Sequence, residues 1–388
     1  MRKLSLVVSA VILLVSLIFA GCAAPSPAPT PSPSPVITPS PTPTLTPTST
    51  PSPTVTTTTK PVTMRFDNTI YVPTSIGAIT NKWFTDKVEE RTQGRIKFLH
   101  LYAGALTKAG EEITAVQTGL ADFSMVSVVY YPTQLYLNSG FSRIVPFNVY
   151  DLPTSTDVIY KVFYDYPYLS DEVAKLGMKL IYANCAESYC LESTKPVTKI
   201  ADMKGMKIAV LGSQGKWFLA AGAVPLSIPI GDRAVALQTG VIEGDSIPFD
   251  VGFPFRLYEF AKYQTQTRFG ATLGGIIVMN QAKFNKLSPE DQRIIVETGK
   301  EAFKYYKVVW ENWRAGAVDT IKKAGVTINP AFSDEEVVKW ANMVGEPVAD
   351  WVKDGKNMGL PQAADLVKTY INLCKETGYK YPKEWKIE

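Results

Sequence analysis

Histidine is nearly absent: His100 is the only one in 388 residues. That excludes an HExxH metal site, and any Ser-His or Cys-His catalytic pair would have to use His100 itself. No GxSxG elbow, GxxxxGK[ST] phosphate loop or GxGxxG turn occurs. Charge is scarce too: Lys, Arg, Asp and Glu make up 20% of the chain, and 40 basic against 36 acidic residues leave a net charge of +4. Without a basic stripe the chain has no electrostatic footprint for nucleic acid. A site of paired carboxylates stays open, because Asp and Glu are plentiful, but no spacing singles out a pair. The reading is therefore of a protein that is not an enzyme and needs no cofactor.

Long apolar runs are confined to the start. Arg2 and Lys3 precede the apolar stretch Leu4 to Ala20, and small residues close it at Ala20-Gly21-Cys22. This is the layout of a secretion signal over residues 1–21. The stretch is at the short limit for a bilayer span, so an uncleaved anchor is the alternative. Either way the chain is exported. Cys22 after Ala-Gly resembles the lipobox of bacterial lipoproteins, apart from Phe19 where that pattern prefers Leu. The resemblance implies an acylated Cys22 and a membrane anchor. Residues 22–63 then read as the lipidated Cys and a Pro/Ser/Thr tether with no charge before Lys60. Such a segment has too little to bury to offset its ordering entropy. Extended at roughly 3.1 Å per residue, it would reach about 120 Å. Of the remaining cysteines, Cys185 and Cys190 either pair across a turn in an oxidising compartment or stay as thiols, and Cys374 is left single.

The rest, residues 64–388, is too long for one small core and suits two lobes. Strand-like and helix-like segments alternate. Met64–Tyr71, Arg95–Leu101 and Asp122–Val129 read as strands, with helices at Ser75–Arg91 and Glu111–Thr118 between them. That βαβαβ order implies a parallel sheet with helices on its faces. The rhythm restarts: strands at Met178–Asn184, Met206–Leu211 and Gly274–Met279, helices at Gln214–Ala221 and Ala234–Thr239. Ser288 followed by Pro289 is a helix start, and one helix runs from Pro289 to about Lys323. At 1.5 Å per residue it is about 50 Å long, enough to lie across both lobes. Further helices open at Ser333-Asp334 and cover about Gln362–Glu376. The fold class is α/β: two lobes, each a mostly parallel sheet flanked by helices, with lobe I at 64–187, lobe II at 188–272, and returning strands and shared helices at 273–388. Ligands belong at the facing strand ends, closed in by a hinge motion.

Five stretches in register resemble the DctP-type solute receptors of TRAP (tripartite ATP-independent periplasmic) transporters. ADMKGMKI (201–208) is similar to that family's DLKGLKI, and GAVP (222–225) follows at the expected distance. ALQTGVIEG (236–244), running on to Pro248, is close to its ALQtGvvDG…P. VMN (278–280), Phe284, LSPEDQ (287–292) and Ile294-Ile295 form another match. GEE (110–112) with AVQTGLAD (115–122) is the last. The resemblance spans roughly residues 64–330. It implies a receptor, lipid-anchored outside the membrane, that hands a small molecule to TRAP permease membrane subunits driven by an ion gradient. A binding protein of an ABC importer or a sensor is the alternative.

The same alignment implies an altered pocket. Ala209 stands where the family carries a carboxylate-binding arginine, Tyr189 where some members carry another, Ile247 at an Asn position, Ile230 at an aromatic one and Ser127 at an acidic one. A carboxylate buried without its planar guanidinium partner is costly. The expected ligand is therefore neutral or partly apolar or aromatic. Tyr71, Tyr130, Tyr189 and Phe249 would offer flat surfaces, and Thr69 and Ser127 hydrogen bonds. The alternative is a carboxylate held by a relocated cation, with Lys108, Lys216, Arg233 or Arg256 as candidates.

Overall fold

A computed structural model describes residues 61–388. The expected signal segment, Cys22 and all of the tether up to Lys60 lie outside the described residues. Among the described residues no helix is long and apolar enough to cross a membrane.

Among the described residues eleven strands form two sheets. The first contains β1 (Val62–Asn68), β2 (Ile96–Tyr102), β3 (Phe123–Val126), β4 (Met178–Ala186) and, returning late in the chain, β10 (Thr272–Asn280), in the order β2-β1-β3-β10-β4. The second contains β5 (Tyr189–Ser193), β6 (Lys207–Val210), β7 (Val224–Ser227), β8 (Gly244–Pro248), β9 (Tyr263–Gln266) and β11 (Thr327–Ile328), in the order β11-β9-β5-β8-β6-β7. Helices flank both sheets, so the molecule has the expected two-lobed α/β fold.

Each sheet is mixed where the chain changes lobes. β1 runs parallel to β2 and β3, but β10 is antiparallel to both β3 and β4. The chain leaves the first sheet on β4 and comes back into it on β10, so these neighbours must run in opposite directions. The second sheet repeats the pattern: β5 enters, β9 leaves, and the two pair antiparallel. β6 keeps parallel partners in β7 and β8.

The long helix Pro289–Lys323 holds the two lobes along one side. Its start is set locally. Ser288 accepts a hydrogen bond from the Asp291 backbone N–H, Pro289 occupies the first helical position, and Glu290 and Asp291 face the positive end of the helix dipole. Its first half packs on β4 through buried Ile295, Ala302 and Phe303. Gly299 permits this approach: a Cβ there would lie 3.0 Å from the Ile181 carbonyl oxygen. Its second half packs Trp313, Ala317 and Ile321 with Cys190 and Phe249 of the other lobe. The last helices fold back over both lobes, and Trp340 inserts among Phe147, Phe218, Phe269 and Phe332 while donating to the Trp217 carbonyl at 2.9 Å.

The strand expected at Met64–Tyr71 runs over Val62–Asn68, so it takes in Val62 and Thr63 from the end of the expected tether. β3 stops at Val126 instead of Val129, because Ser127 opens a short 3-10 turn over Val128–Tyr130 at the sheet edge. Cys185 and Cys190 do not pair: both are buried free thiols. Cys185 lies in β4 of the first sheet and Cys190 in β5 of the second. The segment between them crosses from lobe to lobe, and no turn brings them together.

Candidate functional site

The carboxyl ends of the parallel strands meet between the lobes. β1 runs out into Ile70 and Tyr71, β3 into Ser127 and Tyr130, β6 into Leu211 and β8 into Val251, and all of these line one interlobe cavity. Open α/β sheets place their ligands at such edges, where loops leave the strands.

Six of the residues singled out in the sequence wall this cavity: Tyr71, Ser127, Tyr130, Tyr189, Ile230 and Ile247. Three others do not reach it. Thr69 is buried beneath the strand ends, donating to Asp67 Oδ2 at 2.8 Å and sharing a 2.8 Å bond with Thr107. Ala209 is buried in the apolar cluster behind Ile230 and Ile247. Phe249 packs against Phe253 and Trp313, with the Arg314 guanidinium 4.6 Å from its ring centre. His100 is also elsewhere. On β2 it bonds Asn68 at 3.1 Å and Thr85 at 2.8 Å, and burial lowers its pKa to about 4, which keeps the ring neutral.

Of the four relocated cations considered, only Arg233 lines the cavity. Lys108 is exposed, Arg256 pairs with Glu259 at the surface, and Lys216 borders a separate cavity beside Trp351. The second cationic wall residue is one the sequence reading missed, Arg143, which follows the short helix Tyr136–Gly140. A signal for it existed: between Phe123 and Tyr150 it is the one charged residue.

The two guanidiniums differ in their company. Arg143 is 6% exposed. It donates through Nη1 to the Tyr189 hydroxyl and through Nη2 to the Leu273 carbonyl at 2.9 Å, while Nε has no partner. Both acceptors are neutral, and among the described residues no carboxylate lies within ion-pairing distance of it. Arg233 is 1% exposed and bonded to Asp245 at 2.5 Å and to the Ile228 carbonyl at 2.8 Å. Asp245 is the strand partner of Ala209, so the Arg233–Asp245 pair sits beside β6.

Below the cavity, buried polar groups tie the crossover to the long helix. The Glu187 N–H donates to Asp250 Oδ1 and the Asp250 N–H to Glu187 Oε2, each at 3.1 Å. Trp310 and Arg314 hold Glu187 at 2.5 and 2.8 Å, and Tyr306 donates to Asp250 at 2.8 Å. Burial raises both carboxyls, Asp250 to about 7, with the neighbouring Glu187 charge adding to the effect.

Residues 72–354 match the model of the DctP family, bacterial extracellular solute-binding protein family 7. The chain belongs to the DctP family. It is 29% identical over 301 residues to the 2,3-diketo-L-gulonate-binding periplasmic protein YiaO of Escherichia coli, covering 75% of this chain and 86% of that one. It is 24% identical over 306 residues to the C4-dicarboxylate-binding periplasmic protein DctP of Rhodobacter capsulatus, with the same coverage, 75% and 86%. Among solved structures, a TRAP solute-binding protein of an unidentified marine microbe, specific for aromatic acid ligands and bound to 3-hydroxybenzoate, superposes with a TM-score of 0.72. Identity is 23%, over 81% of this chain and 98% of that one. A TRAP solute-binding protein of Sulfitobacter with bound β-D-galacturonate gives 0.70 at 20% identity, over 80% and 100%. The protein is thus an extracytoplasmic solute receptor of the TRAP type. Its family binds small molecules, works with TRAP permeases and is not enzymatic.

Proposed function

We propose that this DctP-family receptor captures a compact monocarboxylate with an apolar or aromatic body, held by Arg143. The observation that carries the reading is a buried guanidinium on the cavity wall, without an ion-pair partner and with one N–H unused. A buried charge without its counter-ion costs several kcal/mol on the order of magnitude. A ligand carboxylate would supply that counter-ion in the geometry a guanidinium prefers. Ile70, Ile230, Ile247 and Val251, with the rings of Tyr71 and Tyr130, make the rest of the wall suited to an apolar body. The reading in which a cation from elsewhere replaces the one missing at Ala209 is therefore favoured over a neutral ligand, and the cation is Arg143.

Thermal shift and calorimetry with phenylacetate, phenylacetamide and succinate test this directly. A bound ligand raises the melting temperature by mass action. Phenylacetate is expected to bind, and the amide, which has the same shape without the charge, to bind far more weakly. Equal affinity for the two, or preference for succinate, would remove the anchor role of Arg143.

The same proposal includes anchoring through an acylated Cys22 after removal of residues 1–21, with residues 23–60 as a spacer, lobes that exchange the chain near residues 187 and 272, and delivery to the membrane subunits of a TRAP transporter. The pattern Ala20-Gly21-Cys22 supports the anchor. A Cys22→Ala variant appearing in the released fraction instead of the membrane fraction is the expected outcome.

A further inference from the structure

We infer that the Arg233–Asp245 pair is a second recognition point, reading a neutral oxygen at the end of the ligand remote from its carboxylate and turning away a second carboxylate. The inference rests on Arg143 as the carboxylate anchor.

The two guanidiniums stand on opposite lobes of one cavity, Arg143 beside β10 and Arg233 at the start of the helix Arg233–Gln238 in the lobe that carries β6 and β8. The Arg233 fork is committed on two of its nitrogens, Nη1 to Asp245 and Nε to the Ile228 carbonyl, and Nη2 is buried without a partner. The Tyr130 hydroxyl, which lines the same cavity from the other lobe, is buried without a hydrogen-bond partner as well. Two unpartnered donors lining one cavity suit an oxygen acceptor, and leaving them dry is a cost that a ligand oxygen removes.

Charge decides which oxygen. Arg233 already faces the Asp245 carboxylate, so the pair is close to neutral, whereas Arg143 has no counter-ion. Glu192, the antiparallel partner of Asp245, adds no negative charge near neutrality, since burial and the Asp245 charge raise its carboxyl to about 8. A carboxylate brought to Arg233 would meet Asp245 in a low-dielectric setting, where like charges repel strongly. A hydroxyl or carbonyl oxygen would accept from Nη2 without that penalty. The preferred class is thus a monocarboxylate carrying a hydroxyl, ether or carbonyl oxygen at its far end.

The test uses phenylacetate, 4-hydroxyphenylacetate and 4-carboxyphenylacetate, with affinities from calorimetry on the full chain. The hydroxyl is expected to improve affinity over phenylacetate by about tenfold, the value of one well-placed hydrogen bond, and the second carboxylate to abolish binding. In the Asp245→Asn/Glu192→Gln variant, Arg233 loses its counter-ion and no second carboxyl is left to ionise beside it, and the order should reverse, with 4-carboxyphenylacetate gaining at least about tenfold over the hydroxy acid. A purely structural pair would not produce that reversal. If the variant fails to fold, the native comparison still decides: a hydroxyl without effect, or tight binding of the diacid, overturns the inference. Phenylacetate binding that depends on Arg143 while the hydroxyl does nothing would sink this inference alone. No binding by any of the three acids would sink the anchor reading with it.

Discussion

The ring of Tyr71 lies against Gly77, so closely that a Cβ at position 77 would sit 2.3 Å from its Cε2 and Cζ. Tyr71 walls the cavity and Gly77 is buried in the first turn of the helix Ile76–Arg91, so the missing side chain of one residue sets the position of the other. Gly77→Ala forces the ring outwards, and overpacking of this kind costs about 1–3 kcal/mol. The expected result is a loss of phenylacetate binding free energy larger than the loss of unfolding free energy in the unliganded protein. Unchanged affinity would show that the ring yields in some other direction.

Arg143 should dominate binding. Arg143→Gln removes the charge while keeping a donor near Tyr189 and Leu273, and losing one partner of a buried charged contact costs at least about 2 kcal/mol, roughly thirtyfold in affinity. Because the free protein also sheds an uncompensated buried charge, the unliganded variant should melt no lower than the parent. A variant that binds the acid as well as the parent would contradict this.

Stability should fall as pH rises from about 5 to 8.5. Burial raises the carboxyls of Asp245 to about 6, Glu112 and Asp250 to about 7 and Glu192 to about 8. A raised carboxyl binds its proton more tightly folded than unfolded. Its stabilisation is complete below the unfolded value, near 4, and is lost as pH rises through the folded one. His100 works the other way: lowered to about 4, it stabilises above its unfolded value and loses this as pH falls. Four carboxyls outweigh one imidazole. Melting curves from pH 5 to 8.5 check the slope, and a rising melting temperature would refute it.

Thiol chemistry offers a further check. Cys185, Cys190 and Cys374 are buried and free, and burial raises all three thiols, Cys185 to about 12 and Cys374 to about 11. With almost no thiolate and at most 3% exposure, none should react appreciably with a thiol reagent in the native state, and all three should react without reductant once unfolded. Only Cys374 reacting after unfolding would mean that Cys185 and Cys190 pair after all.

The start of the long helix is a local device. Ser288→Ala removes the acceptor for the Asp291 N–H and should cost about 1 kcal/mol. Denaturant unfolding measures this, with ligand affinity unchanged because Ser288 does not line the cavity.

Local chemistry made much of this protein legible in its sequence. The helix Pro289–Lys323 begins and ends where Ser288, Pro289 and the terminal lysines place it, since capping and dipole effects act within a turn. β4 and β10 (MKLIYANCA and TLGGIIVMN) show as largely apolar runs because both are central or covered strands with most side chains buried. β5 and β8 (YCLES and GDSIP) did not show, because their buried Glu192, Asp245 and Ser246 are polar and take their hydrogen-bond partners from other elements.

The cavity followed the same division. That residue 209 is an alanine is read from sequence order. Which cation walls the cavity is not, because a guanidinium reaches several ångströms from its backbone and its role depends on its neighbours. Arg143 and Arg233 are equally basic in the sequence. Only the fold sets one beside a tyrosine hydroxyl and a carbonyl, and the other against Asp245. Pairing between distant residues, and with it the distinction between a free charge and a neutralised one, was decided by tertiary structure.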